Sequence, residues 1–220
     1  INLETITLLG WAELALTRIP GPWMQVETIR FGGIDEFFAL SDESESSHEY
    51  SVAWIDCLAR GRRLGRGLFS RANFVADARA LPRARARQLP VPFTPPFALI
   101  GGVGTRWFNR AWYHRPLRRH SRQPYSRFLF PLDGIGRWNR LYGPRGLLQH
   151  QCVLPPASDR DALAQMLACI AGAGRGSFLA VLKRFGDLPS PGLLGFPRAG
   201  TTLALDFPNR GADTFALLER

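Results

Sequence analysis

Two strand-like segments on either side of one well-patterned helix limit what this chain can fold into. Residues 158–171 carry Leu163, Met166, Leu167 and Ile170 at the i, i+3, i+4, i+7 spacing of a single helical face. Ser158 and Asp161 stand where a capping-box pair would open that helix, and Gly172 and Gly174 where it would stop. Residues 146–154 before it and 177–185 after it read as strands. Further strands are expected at 23–31, 49–58, 66–74 and 201–207, with 66–74 able to pair with 49–58. Ile34, Phe37 and Phe38 mark a short helix over 34–40, and residues 212–219 begin another. The acidic, serine-rich run 41–47 reads as a solvated helix end or loop. Residues 75–96, rich in Arg, Ala and Pro, read as a long crossing loop, and 101–127 as irregular. Strands and helices alternate without regular βαβ units. The expected class is therefore α+β, an antiparallel sheet with helices packed on one face.

The clearest boundary signal is Ile19-Pro20-Gly21-Pro22, which separates residues 1–20 from 21–220. The chain opens and closes inside apparent elements and reads as an excerpt of a longer protein. Its 220 residues suffice for one large domain, or one domain with a fragment of another. No apolar run approaches the roughly 20 residues that span a bilayer.

Of 28 basic residues only Lys183 is a lysine, against 18 acidic residues and a formal charge of +10. So lopsided a ratio points to a codon bias towards Arg, which weakens the case that each Arg was selected to bind an anion. It also singles out the one lysine. Residues 106–127 hold seven arginines and two histidines among Trp107, Phe108, Trp112, Tyr113 and Tyr125. That mixture suits a polyanion or an anionic membrane surface, or a solvated loop in an Arg-rich protein. No nucleic-acid motif accompanies it, so specific nucleic-acid recognition is not expected.

Cys57, Cys152 and Cys169 lack metal or disulfide spacing and sit in apolar segments, which predicts three small buried hydrophobes and a reducing compartment. The histidines show no metal-ligand spacing. Gly101-Gly102-Val103-Gly104 lacks the dinucleotide fingerprint and a convincing helix after it.

Strand alternation sorts the remaining candidates. Leu179, Val181, Lys183 and Phe185 share one face of their strand, so the lysine lies among apolar residues, either reaching for water or lining a pocket. Gln149 and Gln151 share a face of theirs, with His150 and Cys152 on the other. Paired amides suit a hydroxyl-bearing ligand such as a sugar, and equally a solvent-facing edge. Trp54 falls with Tyr50, Val52 and Asp56, and reads as core.

Several segments, in order, resemble one family. They are Tyr50-Ser51-Val52-Ala53-Trp54-Ile55-Asp56, Leu64-Gly65-Arg66-Gly67, Pro131-Leu132-Asp133 with Trp138-Asn139-Arg140, and Tyr142-Gly143-Pro144. Gln149-His150-Gln151, the run from Ser177 through Lys183 to Gly186, and Leu205-Asp206-Phe207-Pro208 complete the series. Together they resemble the C-terminal half of FAD-linked oxidases of the vanillyl-alcohol-oxidase superfamily. The resemblance implies that residues 1–20 end an FAD-binding domain and that 21–220 form an α+β substrate domain short of its last segment. It implies FAD as cofactor, bound mainly outside this chain, and hydride transfer from a secondary alcohol of a sugar-like or lipid-linked small molecule. It further implies that Lys183 acts at the reacting centre and that Trp54, Gln149, Gln151, Leu179, Val181 and Phe185 line the pocket. A cytoplasmic protein peripheral to the inner face of a membrane is the matching location. Leu129 and Ala204 stand where the family's pocket has a tyrosine and a cysteine.

Overall fold

The computed structural model describes residues 16–77, 90–98, 101–189 and 195–219. Its frame is one seven-stranded sheet built from β1 (Trp23–Phe31), β2 (Tyr50–Ile55), β3 (Gly67–Val75), β4 (His120–Pro124), β5 (Leu147–Leu154), β6 (Ala180–Phe185) and β7 (Gly200–Pro208). The spatial order is β4-β1-β3-β2-β6-β7-β5, and every pairing is antiparallel. The two halves meet where β2 pairs β6, through Ala53↔Leu182 and Trp54↔Val181.

One face is closed by α1 (Ile34–Glu45) and α4 (Asp159–Ala173). Phe37, Phe38, Leu163, Leu167 and Ile170 from these helices pack on Ala53, Ile55, Phe69, Ala180, Leu182, Leu203 and Leu205. The α+β expectation therefore holds. The short α3 (Tyr125–Leu129) sits on the opposite face, over the β1–β3 half, where Tyr125 and Phe128 pack on Met24, Val26 and Ala72. Gly67 opens β3 where a Cβ would lie 2.1 Å from the Trp54 carbonyl oxygen and 2.7 Å from the Phe31 ring, so no other residue fits there.

Several local expectations change. The run 41–47 is not all solvated: α1 continues to Glu45, and Ser41 and Ser44 are buried. Their hydroxyls donate back to the carbonyls of Phe37 and Leu40 at 2.8 and 2.6 Å, and Ser44 Oγ also accepts from Arg71. Ser158 forms no side-chain cap on α4. Asp159 in the first turn instead accepts the Thr201 hydroxyl at 2.6 Å, which ties the helix to β7. Gly174 does end α4, in the left-handed conformation at φ 67°.

The largest correction is at 101–127, which is ordered: α2 spans Gly102–His114 and β4 follows. The buried positions of α2 are Thr105, Asn109 and Tyr113, a mostly polar stripe at four-residue spacing. Val103, Trp107, Phe108 and Trp112 are exposed. Hydrogen bonds fix the helix in this inverted sense. Asn109 Nδ2 donates to Asp56 at 2.9 Å and the Tyr113 hydroxyl to the Phe31 carbonyl at 3.2 Å. Arg30 donates to the carbonyls of Tyr113 and Arg115 at 2.8 and 2.7 Å, closing the C-terminal end.

Cys57 is buried and its thiol is pushed up to about 12 by that burial, as a small hydrophobe requires. Cys152 is half-buried against the core, but Cys169 is exposed, on the outer side of α4. Residues 1–15 and most of 75–96, with their expected ends of another domain and crossing loop, lie outside the described residues; 90–96 have no regular secondary structure. No helix among the described residues is long and apolar enough to cross a membrane.

Candidate functional site

Because Ala53, Ala180, Leu182, Leu203 and Leu205 face α1 and α4, their strand neighbours face the other way. Register turns this alternation into rows. Leu68, Trp54, Val181, Ala204 and Gln151 are successive partners across β3, β2, β6, β7 and β5. On one side of that row Lys183 pairs Thr202, which pairs Val153. On the other side Gln149 pairs Asp206. At about 4.8 Å between strands, the step from Trp54 to Gln151 covers roughly 14 Å, the scale of a small ligand.

Six of the seven residues expected at the site thus share one face: Trp54, Gln149, Gln151, Val181, Lys183 and Phe185. Leu179, half-buried, lies just before β6 and is held by its backbone to Ser177, whose Oγ accepts from the Leu179 N–H at 3.0 Å. Lys183, Gln149 and Gln151 are exposed, while Trp54, Val181 and Phe185 are half-buried. Among the described residues the face is open at Lys183, Gln149 and Gln151. Trp54 is therefore not a residue of the main core. Its indole N–H donates to the Phe178 carbonyl at 2.8 Å, which fixes the ring across the seam between the sheet halves. The two glutamines lie exposed on β5, the edge strand of the sheet. Lys183 has no carboxylate partner among the described ion pairs, whereas its neighbour Arg184 pairs Asp42 of α1 on the opposite face.

Two polar residues that sequence reasoning did not single out lie in the same face. Thr202 is 2% exposed and accepts from Gln151 Nε2 at 3.4 Å. Asp206 is 5% exposed and accepts from Gln149 Nε2 at 2.9 Å. Burial pushes the Asp206 carboxyl above its ordinary 3.8, the Gln149 bond opposing it. Beside it is Tyr142, 1% exposed and packed on Phe178 and Trp138, its hydroxyl without a hydrogen-bond partner among the described residues. Burial and the Asp206 charge both raise this phenol. The alternation of β7 could have placed Asp206 on the face opposite to Leu203 and Leu205; only the observed register sets it opposite Gln149. No group of His, Cys, Asp or Glu among the described residues could hold a metal ion.

The face is an apolar strip (Trp54, Val181, Phe185) bordered by one cation and two amides. An apolar strip accepts the flat side of a ring, amides read hydroxyls, and an ammonium stabilises an oxygen that gains negative charge.

No protein-family model matches the chain. Over 189 residues, which are 80% of this chain and 40% of the relative, it is 33% identical to decaprenylphosphoryl-β-D-ribose oxidase of Mycolicibacterium smegmatis. It is 30% identical to an uncharacterized protein of Streptomyces coelicolor over 94% of this chain and 60% of that protein. The chain thus spans about two fifths and three fifths of the lengths of these two relatives. Over four fifths of its own length the chain is therefore similar in sequence to decaprenylphosphoryl-β-D-ribose oxidase.

Proposed function

We propose that residues 21–220 form the substrate-binding floor of an FAD-dependent oxidoreductase that oxidises a secondary alcohol of a lipid-linked sugar, residues 1–20 being the end of its FAD-binding domain. The observation that carries this reading is the convergence of Trp54, Val181, Lys183, Gln149 and Gln151 on one sheet face, with the lysine and both glutamines exposed. The residues present fit a flavin-linked reaction: a half-buried apolar strip to lie under a ring, and an exposed cation beside it. FAD, when bound, supplies the acceptor for the hydride leaving the alcohol carbon.

The residues of this chain then orient the substrate. Gln149 and Gln151 hydrogen-bond sugar hydroxyls, Trp54 and Val181 support the apolar side of the ring, and Lys183 donates to the oxygen of the alcohol being oxidised. An ammonium at that oxygen stabilises the negative charge that builds there as the hydroxyl proton passes to solvent water, which the exposed end of Lys183 meets. The test is a visible spectrum of the protein carrying this chain. We expect a flavin band that bleaches without oxygen on addition of a polyprenyl-phosphate-linked pentose. A colourless protein that takes up no added FAD would end the proposal.

A second reading concerns how such a substrate arrives, and α2 favours it. The helix exposes Val103, Trp107 and Trp112 with Arg106 and Arg110 on the same element. Aromatic and basic residues together suit an anionic bilayer surface, where a lipid-linked sugar resides. Peripheral attachment to the inner face of a membrane, from the cytoplasm, would follow. Co-sedimentation with phosphatidylglycerol vesicles should fall with rising salt and with Trp107→Ser; equal recovery with neutral vesicles would exclude an electrostatic attachment.

A further inference from the structure

We propose that Asp206 is a positioning residue that holds the amide nitrogen of Gln149 and so leaves the amide carbonyl as the group offered to substrate, making this end of the face a reader of hydroxyl donors. The inference rests on the oxidoreductase reading above and names which chemistry one side of the site selects.

The geometry is a direct cross-strand pair. Gln149 and Asp206 are register partners, and Nε2 lies 2.9 Å from Oδ1. An ionised carboxylate can only accept and an amide nitrogen can only donate, so this bond decides which end of the amide is engaged. The exposed Gln149 then has Oε1 left to accept from a ligand hydroxyl. Gln151 differs, because its partner is the Thr202 hydroxyl at 3.4 Å, which can donate as well as accept. One glutamine is fixed in sense and its neighbour on the same face can turn.

The placement of Asp206 is costly in a way that β-sheet packing alone does not call for. It is 5% exposed, no cation is paired with it among the described residues, and burial raises its carboxyl. The groups that face it are Gln149 from β5 and the phenol of Tyr142, while Ser177 Oγ accepts from its backbone N–H at 3.2 Å. The ring of Tyr142, itself 1% exposed, packs against Trp138 and Phe178. A carboxylate held dry with one side-chain donor keeps that donor firmly.

Two measurements on the FAD-loaded full protein test this. In the first, KM and kcat for the pentose substrate are compared in Asp206→Asn and Gln149→Leu. The amide introduced by Asp206→Asn can pair with either end of Gln149, so this variant should raise KM about tenfold, more than it lowers kcat. The second needs no turnover: the Gln149 side-chain NH2 signals are followed by NMR as pH falls. Protonated, Asp206 becomes a donor, so these signals should shift in the wild type at a pH above the ordinary carboxyl value and stay flat in Asp206→Asn. An unchanged KM in Asp206→Asn while Gln149→Leu raises it would overturn the proposal and leave the oxidoreductase reading standing. Gln149 signals indifferent to pH in the wild type would also overturn it. A protein without flavin turnover would sink the oxidoreductase reading, and the NMR titration would still decide the amide's orientation.

Discussion

Arg66→Met is expected to destabilise the protein by about 3–5 kcal/mol, the cost of leaving one partner of a buried ion pair alone. Arg66 and Asp56 are 8% and 4% exposed, and Arg66 Nε and Nη2 donate to Asp56 Oδ2 at 3.1 and 2.8 Å. The second carboxylate oxygen accepts from Asn109 Nδ2 at 2.9 Å and the Leu58 N–H at 3.3 Å. The guanidinium also lies 4.5 Å from the centre of the Tyr113 ring. Both halves of α2's grip on the sheet, Asn109 and Tyr113, therefore run through this pair. Without Arg66 the carboxylate would be buried with two neutral donors, and α2 would lose the surface on which Tyr113 stacks. Urea unfolding of wild type, Arg66→Met and the double variant Asp56→Leu/Arg66→Met measures the effect. The double variant should recover part of the loss, because it removes the stranded charge. A loss below about 1 kcal/mol in Arg66→Met would mean that water reaches Asp56 once the arginine is gone.

Such a pair shows why some of this fold could be read from the sequence and some could not. The sorting of β5 and β6 residues into faces was legible because period-2 alternation is local: that Leu182 and Lys183 point opposite ways follows from spacing, while which of the two is buried does not, since both faces carry apolar residues. Helix α4 was legible because its buried face is apolar. Helix α2 was not, since Thr105 and Asn109 are buried and Trp107 is exposed, the reverse of what a hydrophobic pattern encodes. What holds α2 is a set of hydrogen bonds to residues far away in sequence, such as Asn109 to Asp56. The same limit applies at the candidate site. The lysine and the two glutamines could be assigned to faces strand by strand. That those faces coincide depends on the β2–β6 seam and on the order β2-β6-β7-β5, which are non-local pairings. Asp206, already part of the Leu205-Asp206-Phe207-Pro208 motif, was tied to Gln149 only by the register that pairs them.

The largest functional effect is expected at Lys183. In the FAD-loaded full protein, Lys183→Met should lower kcat by about 10²–10³, the usual loss when one donor to a developing oxyanion is removed. Methionine keeps most of the apolar stem, so packing beside Val181 and Phe185 should survive and the flavin spectrum should be unchanged. Three facts place the burden on this side chain. It is exposed on the face that carries Trp54 and both glutamines, it has no described carboxylate partner, and it is the single lysine among 28 basic residues. Lys183→Arg sharpens the test. A guanidinium keeps the charge but spreads it over a planar fork, so it should restore binding of an anionic substrate more fully than turnover. If Lys183→Met instead raised KM with kcat intact, the lysine would bind the substrate equally in ground and transition states, as a contact to the phosphate of a lipid-linked sugar would. Turnover within about threefold of wild type at every substrate concentration would remove Lys183 from the reaction. The chemistry of the floor would then rest on the amides of β5 and on Asp206 behind them.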